Sequence, residues 1–173
     1  MKVRCKYSNY DDIIPPLDPD YQYGIPHYLK KGHEYIVYGF YVLKKDGKIL
    51  YYIIDESESL DSYVSDLFEI VDSQLPVADW HLGIGTELNE VALDKISLIF
   101  CYEEFVKSRE HFEGVLEHEA EHLERFWKWK EIVDRQYYTP EDEWEMVKAD
   151  VDGVDITFKR NRRTGEYEDF KFV

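Results

Sequence analysis

A run of apolar residues near the start of the chain predicts the first secondary structure. Tyr35–Leu43 is dense in β-branched and aromatic residues, which favour a half-buried strand. Asp46 and Gly47 interrupt the run and supply a tight turn, after which Ile49–Ile54 returns antiparallel to the first strand. A third short strand is predicted at Leu67–Val71. Together these segments predict a compact β-meander.

Three further segments have strand patterns. Met1–Tyr7 alternates apolar and charged residues, which is typical of a half-buried strand. A short strand is predicted through Trp80–Leu82, and Ile96–Tyr102 is apolar enough to be a buried strand. We therefore expect residues 1–103 to form a β-rich domain.

The strongest helix pattern runs from Phe105 to Arg135. On a helical wheel its apolar residues share one broad face, while charged residues such as Glu117 and Lys128 occupy much of the other. Gly114 permits a bend in a helix of this length. The apolar face consists of Phe112, Val115, Leu116, Leu123, Phe126, Trp127 and Val133.

The last segment predicts a short helix and a hairpin. Thr139 suits a helix N-cap and Pro140 the first helical position, and Asp150–Gly153 ends that helix. Val154–Phe158 and Tyr167–Phe172 then form a two-stranded hairpin, which must pack on the main body or on a second chain because it is marginal alone. The predicted class is α+β.

The predicted organisation has two parts. Residues 1–103 contain the antiparallel barrel or meander, and residues 104–173 contain the long helix, the short helix and the C-terminal hairpin. We expect the second part to pack on the first as one globular unit, since 173 residues with 44% hydrophobic content suffice for one substantial core.

The net charge limits the kinds of partner that this protein is expected to bind. The formal net charge is −16, from 37 acidic and 21 basic residues. Such a field opposes direct binding to nucleic acid and to anionic membranes, and it favours a basic partner or simply solubility. Cys5 and Cys101 lie among apolar or aromatic neighbours, which predicts buried thiols. Neither a signal peptide nor a membrane span is evident, so we expect a cytoplasmic location.

Two loops are candidate contact regions. The segment 55–62 is strongly acidic, and Asp55, Glu56, Glu58 and Asp61 are candidate partner-binding residues. The ligand spacing and glycine turn of a calcium loop are missing there, so a solvated acidic loop is the ordinary interpretation. The segment 8–26, rich in proline and aspartate, predicts a long surface loop of the kind that often binds partners.

One motif points to chemistry. His118-Glu119-Ala120-Glu121-His122 matches H-E-x-x-H, in which two histidines on one helical face hold zinc and the glutamate acts as general base. A zinc metallopeptidase with ligands His118 and His122 and base Glu119 is therefore the alternative hypothesis. Against it, Arg125 and Lys128 stand where a metzincin has glycine and histidine. We favour no catalytic residue, no metal and no cofactor.

Three segments together resemble a known arrangement. Lys31–Gly39, Tyr52–Glu56 and Leu67–Asp72 look like a unit of small uncharacterised bacterial proteins, some of which resemble immunity proteins of polymorphic toxin systems. The resemblance covers roughly residues 1–135 and implies an SH3-like β-barrel followed by a helix such as His111–Glu117. It transfers no active site. It implies an immunity role. Together with the acidic composition, which suits a basic toxin as partner, it predicts a non-enzymatic acidic protein-binding module that neutralises such a toxin.

Overall fold

The structure is a computed structural model that divides into two compact units. The units are Met1–Trp127 and Lys128–Val173. The loop predicted at 8–26 and the helix start at Thr139 lie outside the described residues. Those residues are 1–7, 28–75, 80–84, 95–137, 144–151, 154–161 and 167–172.

The first unit is built on a seven-stranded sheet. All of its pairings are antiparallel, and the strands predicted around Met1–Tyr7, Trp80–Leu82 and Ile96–Tyr102 are confirmed. The strands are β1 (Lys2–Cys5), β2 (Glu34–Leu43), β3 (Ile49–Ile54), β4 (Leu60–Val64), β5 (Phe68–Asp72), β6 (Trp80–Ile84) and β7 (Ile96–Tyr102).

The long strand β2 organises this sheet. Its first half pairs with β1, its second half pairs with β7, and its other edge pairs with β3. The order is β4-β3-β2-β1-β5, with β7 beside the second half of β2 and β6 beside β7. A register shift between Val37 and Gly39 marks an irregularity where the two halves meet. No closed barrel is formed by the pairings described.

The meander differs from the prediction at its third strand. Leu60–Val64 forms β4, which pairs with β3, although the sequence predicted a loop through residue 62. The strand predicted at Leu67–Val71 exists as β5, but it pairs with β1. Local polarity favoured a loop at 55–62, whereas Leu60, Tyr63 and Val64 are buried in the sheet.

A core cluster of this unit is formed by buried residues of the five strands β1 to β5. Val3, Val37 and Ile53 are fully enclosed within it. Both cysteines are buried free thiols, as predicted. Gly39 is required by close packing, since a Cβ there would lie 2.9 Å from the Cys101 sulfur.

The predicted helix Phe105–Arg135 is wrong as one helix. The structure has α1 (Glu103–Lys107), α2 (Arg109–Leu116) and α3 (Ala120–Tyr137). Ser108 ends α1 in extended conformation and caps α2, its side chain accepting a hydrogen bond from the His111 N–H. The second break lies at 117–119, where His118 adopts a left-handed φ of 59°.

Most of the predicted apolar face is buried. Phe112, Val115, Phe126 and Val133 are enclosed, whereas Leu116 and Trp127 are exposed. Leu116 is the last residue of α2, and this position at the helix end accounts for its exposure. Helix α3 contributes residues to both compact units.

The second unit contains a three-stranded antiparallel sheet in the order β10-β9-β8. Its strands are β8 (Trp144–Val151), β9 (Val154–Asn161) and β10 (Tyr167–Phe172), so the predicted hairpin is confirmed. The predicted short helix is wrong over 144–151, because β8 pairs with β9 along its whole length. Pairing with β9 overrides the helix predicted for residues 144–149.

Candidate functional site

The acidic turn between β3 and β4 is held by its own carboxylates. Asp55 is 5% exposed, and its Oδ2 accepts a hydrogen bond of 2.6 Å from the Tyr63 hydroxyl. Its Oδ1 accepts hydrogen bonds from the Ser57 N–H at 2.9 Å and from the Ser57 hydroxyl at 2.6 Å. Asp55 therefore shapes the turn from inside, and both of its oxygens are engaged.

Glu56 is also engaged within the molecule. Its Oε1 accepts a hydrogen bond of 2.9 Å from the Tyr35 hydroxyl and lies 2.5 Å from His33 Nδ1. Burial raises the pKa of Tyr35, so its hydroxyl stays protonated and donates. Glu58 and Asp61 are exposed at the surface of the same turn and strand. Of the four predicted contact residues, Asp55 alone is buried.

The H-E-x-x-H segment is not one helical turn. His118 lies outside the helices, and its Nε2 is 3.2 Å from the Ser59 hydroxyl in the acidic turn. His122 lies in the first turn of α3 and is buried, while Glu119 is largely exposed, with Oε2 3.6 Å from His122 Nε2. The continuous helix that the zinc hypothesis requires is therefore absent at these residues. Over the described ranges, the structure has no group of three or more potential metal ligands.

A chain of polar side chains enters the core instead. The Tyr102 hydroxyl contacts His111 Nε2, and His111 Nδ1 lies 3.0 Å from His122 Nδ1. If Tyr102 donates, His111 must carry its proton on Nδ1 and donate it to His122, which leaves the His122 Nε2–H facing Glu119. Burial lowers the pKa of His111, which favours this neutral arrangement. Tyr102, His111 and His122 form a hydrogen-bonded path, and the exposed Glu119 carboxylate lies just beyond its end.

His111 was not among the site residues predicted from the sequence. The two imidazoles are eleven residues apart and meet only because the chain reverses at 117–119. Gly114 makes the approach possible, since a Cβ there would lie 2.2 Å from His122 Cδ2. A histidine on the apolar face of α2, near a glycine on the same helix, is the signal that could have indicated it.

A third feature is an apolar surface on the sheet. In antiparallel pairs, directly opposed residues share a face. The register aligns Ile49, Val42, Leu98 and Ile84 in one row across four strands, and Tyr51, Phe40, Phe100 and Leu82 in the next. Tyr51 is buried in the core, so the second row is covered at its β3 end. The remaining ends of the two rows, Ile49, Ile84 and Leu82, are exposed.

We call this surface the open sheet face. Ile84 is 53% exposed and Leu82 43%, while the Phe40 and Phe100 rings are in contact, with centroids 5.4 Å apart. Helix α1 contacts both β6 and β7. The members of the open sheet face are Phe40, Val42, Ile49, Leu82, Ile84, Leu98 and Phe100.

Comparison of the chain with family models, with curated proteins and with solved structures gives no match. Among the helices described, none has the length and apolar character needed to cross a membrane.

Proposed function

We propose that this protein is a non-enzymatic binding module that recognises another protein through the open sheet face. The single observation that carries the proposal is the exposure of Ile49, Leu82 and Ile84 beside half-buried apolar residues in the aligned rows on four adjacent strands. Contiguous exposed apolar surface on a soluble chain is characteristic of an interaction site. Isolated exposed apolar side chains are common, but these are neighbours in register.

The edge of the sheet adds to this surface. In the described part of the chain, β6 pairs with β7 alone, so β6 forms one border of the sheet. Such a border can accept an extended segment of a partner by backbone hydrogen bonding. The apolar side chains of Leu82 and Ile84 would contact the same partner.

The net charge of the protein favours a basic partner. The net charge of −16 accelerates encounter with a basic protein and gives little affinity by itself. Near the open sheet face the β2–β3 turn carries Lys44 and Lys45, so we assign the charged contact to Glu58 and Asp61 at the other end of β3. The six residues of β3 place the turn that carries Lys44 and Lys45 about 20 Å from the turn that carries Glu58. A standard interface spans this distance.

The resemblance to immunity proteins refines the proposal. A basic toxin encoded near this protein is the partner that it implies. We also infer that the first unit is of the SH3-like kind. Support for this comes from the two-part strand β2 and from β1, which pairs with both β2 and β5.

The test uses matched isoleucine variants. Ile84 lies on the open sheet face and Ile70 on β5, and they are 53% and 56% exposed. Ile84→Lys and Ile70→Lys therefore change the same charge at similar exposure. The immobilised chain would first capture partners from the source cell at low and high salt, and each purified partner would then be titrated by calorimetry.

We expect a basic partner whose affinity falls at least tenfold with Ile84→Lys and stays within about twofold with Ile70→Lys. Asp61→Asn should slow association and weaken its salt dependence. The immunity role predicts that the partner is toxic when expressed alone and that the wild-type chain, but not Ile84→Lys, restores growth. Equal binding by Ile84→Lys and the wild type would refute the proposed surface.

A further inference from the structure

A cavity of about 260 Å³ lies on the opposite side of the sheet from the open sheet face. Its floor includes Tyr41 and Tyr52, whose ring centroids are 5.2 Å apart. Phe112 and Leu116, one helical turn apart on α2, line the other side. The cavity therefore lies between the sheet and the last turn of α2, and it is partly open to solvent.

The lining is apolar, with few polar groups. Leu43 and Ile96 face each other in the β2–β7 register and extend the apolar wall. The Tyr41 hydroxyl donates a hydrogen bond of 3.2 Å to the Ser62 hydroxyl, so these two polar groups are already paired. An apolar cavity with a few placed polar groups is the usual form of a small-molecule site, and 260 Å³ is just below the common size range.

Lys95 gives the cavity its charge preference. Among the described residues that line it, Lys95 alone is charged. Its backbone carbonyl accepts a hydrogen bond of 2.9 Å from the Lys44 N–H, which fixes its backbone beside the end of β2. Lys44 and Lys45, both exposed, follow directly on the β2–β3 turn. Asp46 follows them on the same turn, so Lys44, Lys45 and Asp46 together add one net positive charge near Lys95 in an acidic protein.

Nearby charges determine whether the cavity prefers an anionic or a cationic ligand. Exposed charges farther than about 8 Å are largely screened at physiological ionic strength. The distant carboxylates that produce the net charge therefore act weakly at the cavity mouth, and a lysine in the lining acts strongly. We propose that this cavity binds a small organic anion, a monocarboxylate with an apolar body, whose carboxylate pairs with Lys95.

The test uses three probes of equal chain length. Octanoate, octan-1-ol and octylamine would be titrated into the chain, with methyl and backbone shifts followed by nuclear magnetic resonance. We expect octanoate to shift Leu43 and Ile96, with octanol weaker and octylamine weakest. Lys95→Met should weaken octanoate about fivefold, as expected for an exposed ion pair, and remove its advantage over octanol. Lys31→Met, a lysine outside the cavity, should change nothing.

Other outcomes overturn the inference. Absence of octanoate binding would refute the site. Shifts at Leu82 and Ile84 without shifts at Leu43 would show adsorption to the open sheet face. Equal affinity for octanoate and octanol would refute the role of Lys95. Leu116→Ser removes an exposed apolar wall without disturbing the core, and unchanged octanoate affinity in that variant would also refute the site.

Discussion

His118 Nε2 lies 3.2 Å from the Ser59 hydroxyl and so joins the connection between α2 and α3 to the acidic turn. The two residues are 59 positions apart in the chain. His118 is held in a left-handed conformation, with φ of 59°, that non-glycine residues rarely adopt. This contact ties the helical layer to the β3–β4 connection and replaces the helical turn that the H-E-x-x-H motif implied.

The left-handed conformation of His118 predicts which of two substitutions at this position is the less stable. His118→Gly loses the Ser59 contact but removes the steric cost of the positive φ, whereas His118→Ala loses the contact and keeps the cost. We expect the alanine variant to be less stable than the glycine variant by about 1 kcal/mol, after allowing for the greater unfolded-state freedom of glycine. Urea unfolding measures the difference. Greater stability of the alanine variant would contradict the left-handed assignment.

The effect of Gly114→Ala on stability should change from destabilising to stabilising when the His122 ring is removed. Gly114→Ala should gain about 1 kcal/mol from helix propensity but lose more because its Cβ would displace the His122 ring, so we expect net destabilisation of about 1 kcal/mol. In a His122→Ala background the obstruction is gone, and the same change should stabilise the protein. A double-mutant cycle by chemical denaturation measures this coupling. Additive effects would show that the two residues do not contact.

The histidine pair predicts a pH dependence of stability. The folded pKa of His111 is lowered by burial, with His122 and Arg125 acting in the same direction and the Glu104 carboxylate opposing them. The unfolded chain therefore binds more protons below its ordinary pKa of about 6.5, so stability is present above that pH and is lost as the pH falls through the lower folded pKa.

His111→Gln removes this titration and retains a donor and an acceptor. We expect the loss of unfolding free energy between pH 7.5 and pH 5.5 to be smaller in the variant than in the wild type. Titration of the His111 ring by nuclear magnetic resonance should independently give a midpoint below about 6.5. The same pH dependence in variant and wild type would contradict the prediction.

The acidic turn predicts two separable effects. Asp55→Asn replaces an oxygen acceptor by a donor next to the Tyr63 and Ser57 hydroxyls, and should cost about 2 kcal/mol of stability. Asp61→Asn at an exposed position should change stability by less than about 0.5 kcal/mol. Thermal or urea unfolding measures both. Similar stability of the two variants would show that Asp55 does not hold the turn.

The sequence by itself determined the strands whose signals are local. The β2–β3 hairpin follows from two runs of β-branched and aromatic residues around Asp46-Gly47, and β7 follows from its apolar composition. Hairpin β9–β10 was predictable for the same reason. In each case the period of the side chains and the turn residues lie within a few positions of one another, so no distant contact is needed.

Only the tertiary structure decided the features that depend on distant partners. The break at 117–119 is stabilised by Ser59, the histidine pair meets across that break, and β8 is a strand because β9 pairs with it. Asp55 looked like a solvated carboxylate, yet Tyr63 and Ser57 enclose it. The open sheet face arises because β7 inserts between β2 and β6. Such long-range pairings overcome local propensities, since each buried contact and ladder hydrogen bond outweighs the small preference of one residue.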